Sequence, residues 1–190
     1  YYDIIMLLVN SVFGNIYKDF QLKEKIDHAE KQGELKQLFL SRTEMEKSHQ
    51  RKNTEDGMEI GLSLEAGTTL HTGDVLSNGT GLILVNQLPE KVLYVKAKSD
   101  NESSSVYIQL GHIIGNRHRP ISISNDGSVM FPIQDDSEVE LFTKLFHEII
   151  DHITLTIQEQ IFVANQGMNV HEHWFFWIKR NAVVRLFFPK

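Results

Sequence analysis

Hydrophobic and polar residues alternate in short runs along residues 1–89, and glycines separate the runs. Residues 5–13 and 35–41 each predict a strand, with a Lys- and Glu-rich helix or loop between them. Residues 49–64 predict a hairpin that turns at Asp56-Gly57. Its apolar face would consist of Met58, Ile60, Leu62 and Leu64. Short strands with glycine turns indicate a small β-rich module.

The hydrophobic period changes after Pro89. Residues 91–98 predict a strand, and apolar residues then recur at helical spacing until Gly115-Asn116, a pair that predicts a left-handed helix cap. PISIS and SVMFPI predict a second hairpin, followed by a helix and the strand TLTIQEQIF. The helical stripes are Val106, Leu110, Ile113 and Ile114 in the first helix, and Phe142, Leu145, Phe146, Ile149, Ile150 and Ile153 in the second.

These patterns predict an α+β fold class. A small N-terminal β-rich module at 1–89 precedes a ferredoxin-like βαββαβ module at 90–165, and a C-terminal tail occupies 166–190. The ferredoxin-like order supports many functions and by itself indicates none.

Composition excludes several classes of function. The chain has 190 residues, of which 41% are hydrophobic and 23% charged, as in soluble globular proteins. Its net charge of −6 argues against nucleic-acid binding. The absence of cysteine excludes disulfides, a thiol nucleophile and a zinc-thiolate site. The apolar N-terminal stretch lacks a basic flank and is too short to span a bilayer, so it predicts a strand and no membrane anchor.

The histidines are the side chains of this sequence that say most about function. His118 lies in GHIIGNRHRPISI, directly after the first predicted helix of the second module, and His171 and His173 form a His-x-His pair in the tail. Imidazole nitrogen is a good ligand for Ni²⁺, Cu²⁺ and Zn²⁺. On spacing alone, a histidine after a helix end is more often a surface residue, and a His-x-His pair is as often part of a solvated tail.

Four segments make the chain similar to the UreE family of urease accessory proteins, which are nickel metallochaperones. They are FGNIYKD, RKNTEDGMEIGLSLEAGTTLHTGDVL, QLPEKVLYVKA and IGNRHRPI. In the last of them, His118 matches the histidine of the family's GNRH motif, its central nickel ligand. The resemblance implies a partner-binding N-terminal module and a second module that binds metal and forms a homodimer. The two copies of His118 would share one ion at the two-fold axis.

The resemblance also implies function and partners. The chain would be a cytoplasmic nickel chaperone and not an enzyme, and it would deliver Ni²⁺ to apo-urease, with Cu²⁺ or Zn²⁺ also able to bind in vitro. Its partners would be the urease accessory GTPase and the urease apoprotein complex, with no nucleic acid or membrane. His171 and His173 would join the metal site. Arg117 and Arg119 would pair with carboxylates across the dimer interface or on a partner, because free positive charge disfavours a bound cation. The apolar end, WFFWIKRNAVVRLFFPK, departs from the family.

Two alternative functions remain open at this stage. A metal hydrolase would need His118, His171 and His173 of one chain to converge beside a general base, but the sequence contains no HExxH motif. A metal-independent interaction adaptor would use the N-terminal module alone. The remaining histidines are predicted to be surface residues: His28, His49, His71, His112, His147 and His152.

Overall fold

The computed structural model describes residues 7–77, 81–99 and 104–165. The chain divides into two compact units, Tyr1–Pro89 and Glu90–Lys190. It is α+β, with several sheets and few helices, as the sequence predicts.

In its described residues, 7–77 and 81–89, the first unit contains two sheets and two helices. Its elements are β1 (Leu7–Val9), β2 (Val12–Asn15), α1 (Phe20–Lys31), β3 (Leu35–Leu40), α2 (Arg42–Met45), β4 (His49–Asn53), β5 (Glu59–Ser63), β6 (Asp74–Ser77) and β7 (Leu82–Gln87). One sheet has the strand order β1-β5-β4 and the other β2-β6-β7-β3. The pairs β1–β5 and β3–β7 are parallel, and the other pairs are antiparallel.

The predicted hairpin is β4 and β5. Gly57 supplies the left-handed backbone of the turn, with φ 85°, and Thr54 N donates to Met58 O across it. The predicted apolar face is confirmed, because Ile60, Leu62 and Leu64 are buried and Met58 is partly buried. This face packs with side chains of the second sheet into a shared core.

Helix α1 packs on the second sheet through Leu22 and Ile26, which bury against Val75. Asp19 caps the helix by accepting from Gln21 N and Leu22 N. The short helix α2 was not predicted, although Ser41 and Glu44 form the capping box that signals a helix start.

The described part of the second unit contains one antiparallel sheet with the strand order β11-β8-β10-β9. Its elements are β8 (Glu90–Ala97), α3 (Ser104–Asn116), β9 (Ser122–Ile123), β10 (Val129–Pro132), α4 (Asp136–Leu145), a 3-10 turn (Ile150–His152) and β11 (Ile153–Gln160). Both helices contribute to a core that includes Leu93, Val95 and Phe131 from the sheet.

The second helix of this unit is shorter than predicted. The predicted stripe runs to Ile153, but α4 ends at Leu145 and Ile153 begins β11. Residues 146–149 form a turn, and Ile153 pairs with Ala97 of β8, so pairing with the sheet overrides the helical period of the apolar residues. The apolar positions themselves were predicted correctly, since Phe142, Phe146, Ile149 and Ile153 are buried.

In the part of the chain that the structure describes, no helix combines the length and the apolar character needed to cross a membrane.

Candidate metal centre

His118 lies just beyond the C-terminus of α3 and has a left-handed backbone. Its φ is 52°, the only positive value at a non-glycine position in the described ranges. Two bonds close the turn, from Arg117 N to Ile114 O at 3.1 Å and from His118 N to Gly115 O at 2.9 Å. The predicted left-handed cap at Gly115-Asn116 is therefore wrong, because both residues continue the helix and His118 takes that conformation.

Helix α3 fixes the position of this turn. Val106, Leu110 and Ile114 anchor the helix in the core of the second unit. Ile114, four residues before His118, is fully buried, whereas the His118 side chain is exposed. A rigid helix thus ends in an imidazole that faces solvent, where a metal ion and further ligands have access.

Arg119, the next residue, forms an ion pair with Glu138 of α4. Arg119 Nη2 donates to Glu138 Oε1, and Glu138 Oε2 accepts from Gln134 N at 2.8 Å. Both side chains are largely shielded from solvent. The prediction that Arg119 pairs across a dimer interface or on a partner is therefore wrong, because its carboxylate lies in the same unit of its own chain. Nothing in the sequence marked Glu138 for this role, since acidic residues are expected in the first turn of any helix.

The other two predicted ligands, His171 and His173, lie outside the described residues. Among the residues that the structure describes, no group of three or more histidine, aspartate or glutamate side chains is arranged to hold a metal ion. His118 is thus the one predicted ligand whose surroundings the structure gives.

The six histidines predicted to be surface residues are all exposed. Of these, His112 lies nearest in sequence to His118, and its Nε2 lies 2.9 Å from Asn116 Nδ2, one helical turn further along α3. This contact between neighbouring turns stays on the helix surface, in agreement with the structural role predicted for His112.

One face of α3 combines an exposed isoleucine with glycines. Ile108 is 70% exposed, and the Cβ positions of Gly111 and Gly115 would meet no atom within 4 Å. Residues three, four and seven apart share a face of a helix, so Ile108, Gly111, His112 and Gly115 form one surface, here called the α3 face. The α3 face ends next to the turn that carries His118.

Comparisons with known proteins show which proteins the chain resembles. Residues 22–86 match the family described as UreE urease accessory protein, N-terminal domain. The chain is 32% identical to the urease accessory protein UreE of Yersinia aldovae in an alignment of 136 residues that covers 67% of this chain and 57% of the relative. It is 31% identical to UreE of Yersinia pestis (strain Pestoides F) in an alignment of 121 residues that covers 60% of this chain and 51% of the relative.

The chain thus spans little more than half the length of these relatives. The matches confirm the predicted resemblance to the UreE family of urease accessory proteins. The relatives are named as accessory proteins and not as enzymes, which agrees with the prediction that this chain is not an enzyme.

Proposed function

We propose that the protein is a nickel metallochaperone that binds Ni²⁺ through His118 and delivers it to apo-urease during assembly of the urease active site. The observation that carries the proposal is the presentation of His118, an exposed imidazole held on a left-handed turn at the end of a helix that Val106, Leu110 and Ile114 anchor in the core. A non-glycine residue in this conformation costs free energy, and such strain concentrates at functional sites.

The chemistry of the site suits capture and release. Imidazole nitrogen binds Ni²⁺, Cu²⁺ and Zn²⁺, and affinity alone favours copper, so the preference for nickel comes from the resemblance. Two imidazoles leave most coordination positions open, which allows exchange of the ion. We propose that His171 and His173 supply further ligands.

We propose that the protein forms a homodimer and that the metal ion lies at its two-fold axis. A two-fold interface brings the same residue of each chain together, so one histidine per chain becomes a pair. The α3 face supports this arrangement, because an exposed isoleucine beside two glycines allows the backbones of two helices to approach closely. Two copies joined through the α3 face would bring their His118 turns towards one another.

The remaining parts of the proposal follow from the resemblance. The second unit would be a ferredoxin-like metal-binding module, which its βαββαβ element order and β11-β8-β10-β9 strand order support. The first unit would bind a partner, either the urease accessory GTPase or the urease apoprotein complex. The protein would act in the cytoplasm.

Activation of apo-urease tests this function. Purified apo-urease complex and its accessory GTPase are incubated with limiting Ni²⁺ and either the wild-type protein or His118→Ala. We expect the wild type to increase urease activity and His118→Ala to lose most of that increase. His28→Ala, which removes another exposed histidine from the first unit, is the matched control and keeps full activity. Equal activation by wild type and His118→Ala would contradict the proposal.

An interaction adaptor is the second candidate, and exposed aromatic side chains in the first unit favour it. Phe13, Tyr17 and Phe20 lie within eight residues of one another and are all exposed, and aromatic side chains are enriched at protein–protein interfaces. An adaptor would capture the urease apoprotein complex equally well with and without Ni²⁺. The His118→Ala variant of an adaptor would capture the complex as well as the wild type does. A chaperone loaded through His118 predicts that Ni²⁺ changes this capture for the wild type alone. The hydrolase receives no support from the contacts of the described residues.

A further inference from the structure

The two arginines that flank His118 differ in their surroundings. Arg119 is partly buried and donates to Glu138 of α4. Arg117 is exposed, and within the described ranges no carboxylate forms an ion pair with it. Among the described residues, one guanidinium beside the candidate ligand is therefore neutralised and the other is not.

The side chain of Arg117 is not needed to close the end of α3. A cationic side chain often bonds the last carbonyls of a helix, where it also interacts favourably with the helix dipole. Here backbone amides occupy two of these carbonyls, because Arg117 N donates to Ile114 O and His118 N donates to Gly115 O. The contacts of the described residues therefore assign the guanidinium no role in capping this helix.

Arg117 places a positive charge close to an ion bound at His118. Adjacent Cα atoms are about 3.8 Å apart, so the two side chains leave the backbone at nearly the same place. Repulsion between the guanidinium and the ion weakens binding of Ni²⁺. In the proposed dimer, the two copies of Arg117 add two positive charges to the two of Ni²⁺. A negatively charged group that reaches the loaded site is attracted by all of them.

A carboxylate is the anion that suits both the arginine and the ion. The planar guanidinium of arginine donates two parallel hydrogen bonds to a carboxylate. Carboxylate oxygens also bind divalent metal ions. Every aspartate and glutamate side chain of a receiving protein carries this group, so the chemistry points to an acidic surface on the protein that takes the ion.

We propose that Arg117 is a positioning residue for metal transfer, and that it recruits a carboxylate of the receiving protein to the Ni²⁺ held by His118. The inference rests on the proposed function, because it needs nickel at His118. A carboxylate oxygen takes an open position on the ion, and each imidazole then leaves as a neutral ligand. Arg117 thus weakens the hold on the ion and attracts the group that replaces His118.

Transfer of Ni²⁺ from the loaded chain to two small chelators tests the proposal. Nitrilotriacetate carries carboxylates and terpyridine is neutral, and absorbance follows both transfers. For Arg117→Gln we expect calorimetry to show Ni²⁺ affinity at least about twofold higher than for the wild type, because a repelling charge is lost. The second-order rate constant for nitrilotriacetate, divided by that for terpyridine, should fall at least about twofold. High salt should lower the wild-type ratio as well.

Two variants and one added anion separate the charge of Arg117 from other effects. Arg117→Lys keeps the positive charge and should retain the wild-type affinity and most of the rate ratio. Arg51→Gln removes another exposed arginine, from β4 of the first unit, and should change neither quantity. Succinate supplies free carboxylate at the concentration used with nitrilotriacetate, and it should not accelerate transfer to terpyridine.

Three results would overturn the proposal. The first is an Ni²⁺ affinity that does not rise in Arg117→Gln, and the second is a ratio of the two rate constants that does not fall. The third is acceleration by succinate that Arg117→Gln abolishes, which would assign the site to a free carboxylate. Failure of the proposed function looks different, because His118→Ala would then bind Ni²⁺ as the wild type does.

Discussion

Arg119 donates to Glu138, so the arginine that follows the candidate metal ligand is neutralised within its own chain. A free guanidinium beside His118 would repel a bound cation. The pair removes that repulsion. It also ties the His118 turn to the first part of α4, because Glu138 belongs to that helix. The other carboxylate oxygen of Glu138 accepts from Gln134 N.

The first prediction concerns this ion pair. Glu138→Gln leaves the charge of Arg119 uncompensated near the metal. At about 10 Å, a unit charge is worth about 0.4 to 1.7 kcal/mol for effective dielectric constants of about 80 to 20. We therefore expect Ni²⁺ affinity, measured by calorimetry, to fall by about twofold to about 17-fold.

Two further variants separate charge from packing. Glu140→Gln removes an exposed carboxylate from the same helix and should leave affinity nearly unchanged. The double variant Arg119→Gln/Glu138→Gln removes both charges and should recover most of the lost affinity. If the double variant binds as weakly as Glu138→Gln, then electrostatic neutralisation is not the reason that the pair matters.

The second prediction concerns the backbone of His118. Alanine is strained at φ 52°, whereas glycine is not. The free energy of unfolding of His118→Gly should therefore exceed that of His118→Ala by about 0.5–1 kcal/mol. This figure allows for the greater conformational freedom of glycine in the unfolded chain. Urea denaturation of both metal-free variants measures the difference, and a less stable glycine variant would show that the turn is not strained.

The third prediction concerns the α3 face. Ile108→Lys places a charge on the surface proposed to meet a second copy, and should shift the protein from dimer towards monomer in sedimentation velocity. Ile157→Lys introduces the same charge at an exposed position of β11 and is the matched control. A dimer that withstands Ile108→Lys but not Ile157→Lys would place the interface on the sheet edge instead.

The fourth prediction concerns the core of the second unit. Phe142 is 1% exposed, and its ring centroid lies 4.5 Å from that of Phe131 and 5.8 Å from that of Phe146. Phe142→Ala should lower the free energy of unfolding by about 3–5 kcal/mol through lost burial and a new cavity. Leu141 is the neighbouring residue and is 40% exposed, so Leu141→Ala should lower the free energy of unfolding much less. Chemical denaturation gives both values, and similar losses would contradict the assigned core.

The fifth prediction is a pH dependence of stability in the first unit. Burial acts to raise the pKa of Glu44, but hydrogen bonds from Lys52 and from the cap residue Ser41 outweigh it and hold this pKa below its ordinary value of 4.5. A carboxylate with a depressed pKa stabilises the fold above its unfolded pKa, and that stability is lost as pH falls through the folded pKa. Below about pH 4.5, the free energy of unfolding of Glu44→Gln should therefore depend less on pH than that of the wild type. Parallel pH profiles for the two proteins would rule out this contribution.

Local patterns predicted most of the elements but not their assembly. The Asp56-Gly57 turn and the alternation after it fix the β4–β5 hairpin, because both signals act over a few residues. The parallel pairing of β1 with β5 and of β3 with β7 joins distant segments, and no local signal encodes it.

The candidate site divides in the same way. The motif around His118 can be recognised from the sequence alone. The sequence predicts the left-handed backbone at Gly115-Asn116, because glycine and asparagine adopt it at the lowest cost, whereas His118 adopts it in the structure. The partner of Arg119 beside the candidate ligand is Glu138. It lies 19 residues from Arg119, so only the folded unit brings the two together.

Titration of Ni²⁺ into wild type and His118→Ala, with native mass spectrometry for stoichiometry, tests the central claim most directly. We predict one tightly bound ion per dimer of the wild type and loss of that site in His118→Ala, while His28→Ala, which changes an exposed histidine of the first unit, keeps it. An isotherm and a stoichiometry that do not change in His118→Ala would contradict the account and leave the interaction adaptor as the better explanation.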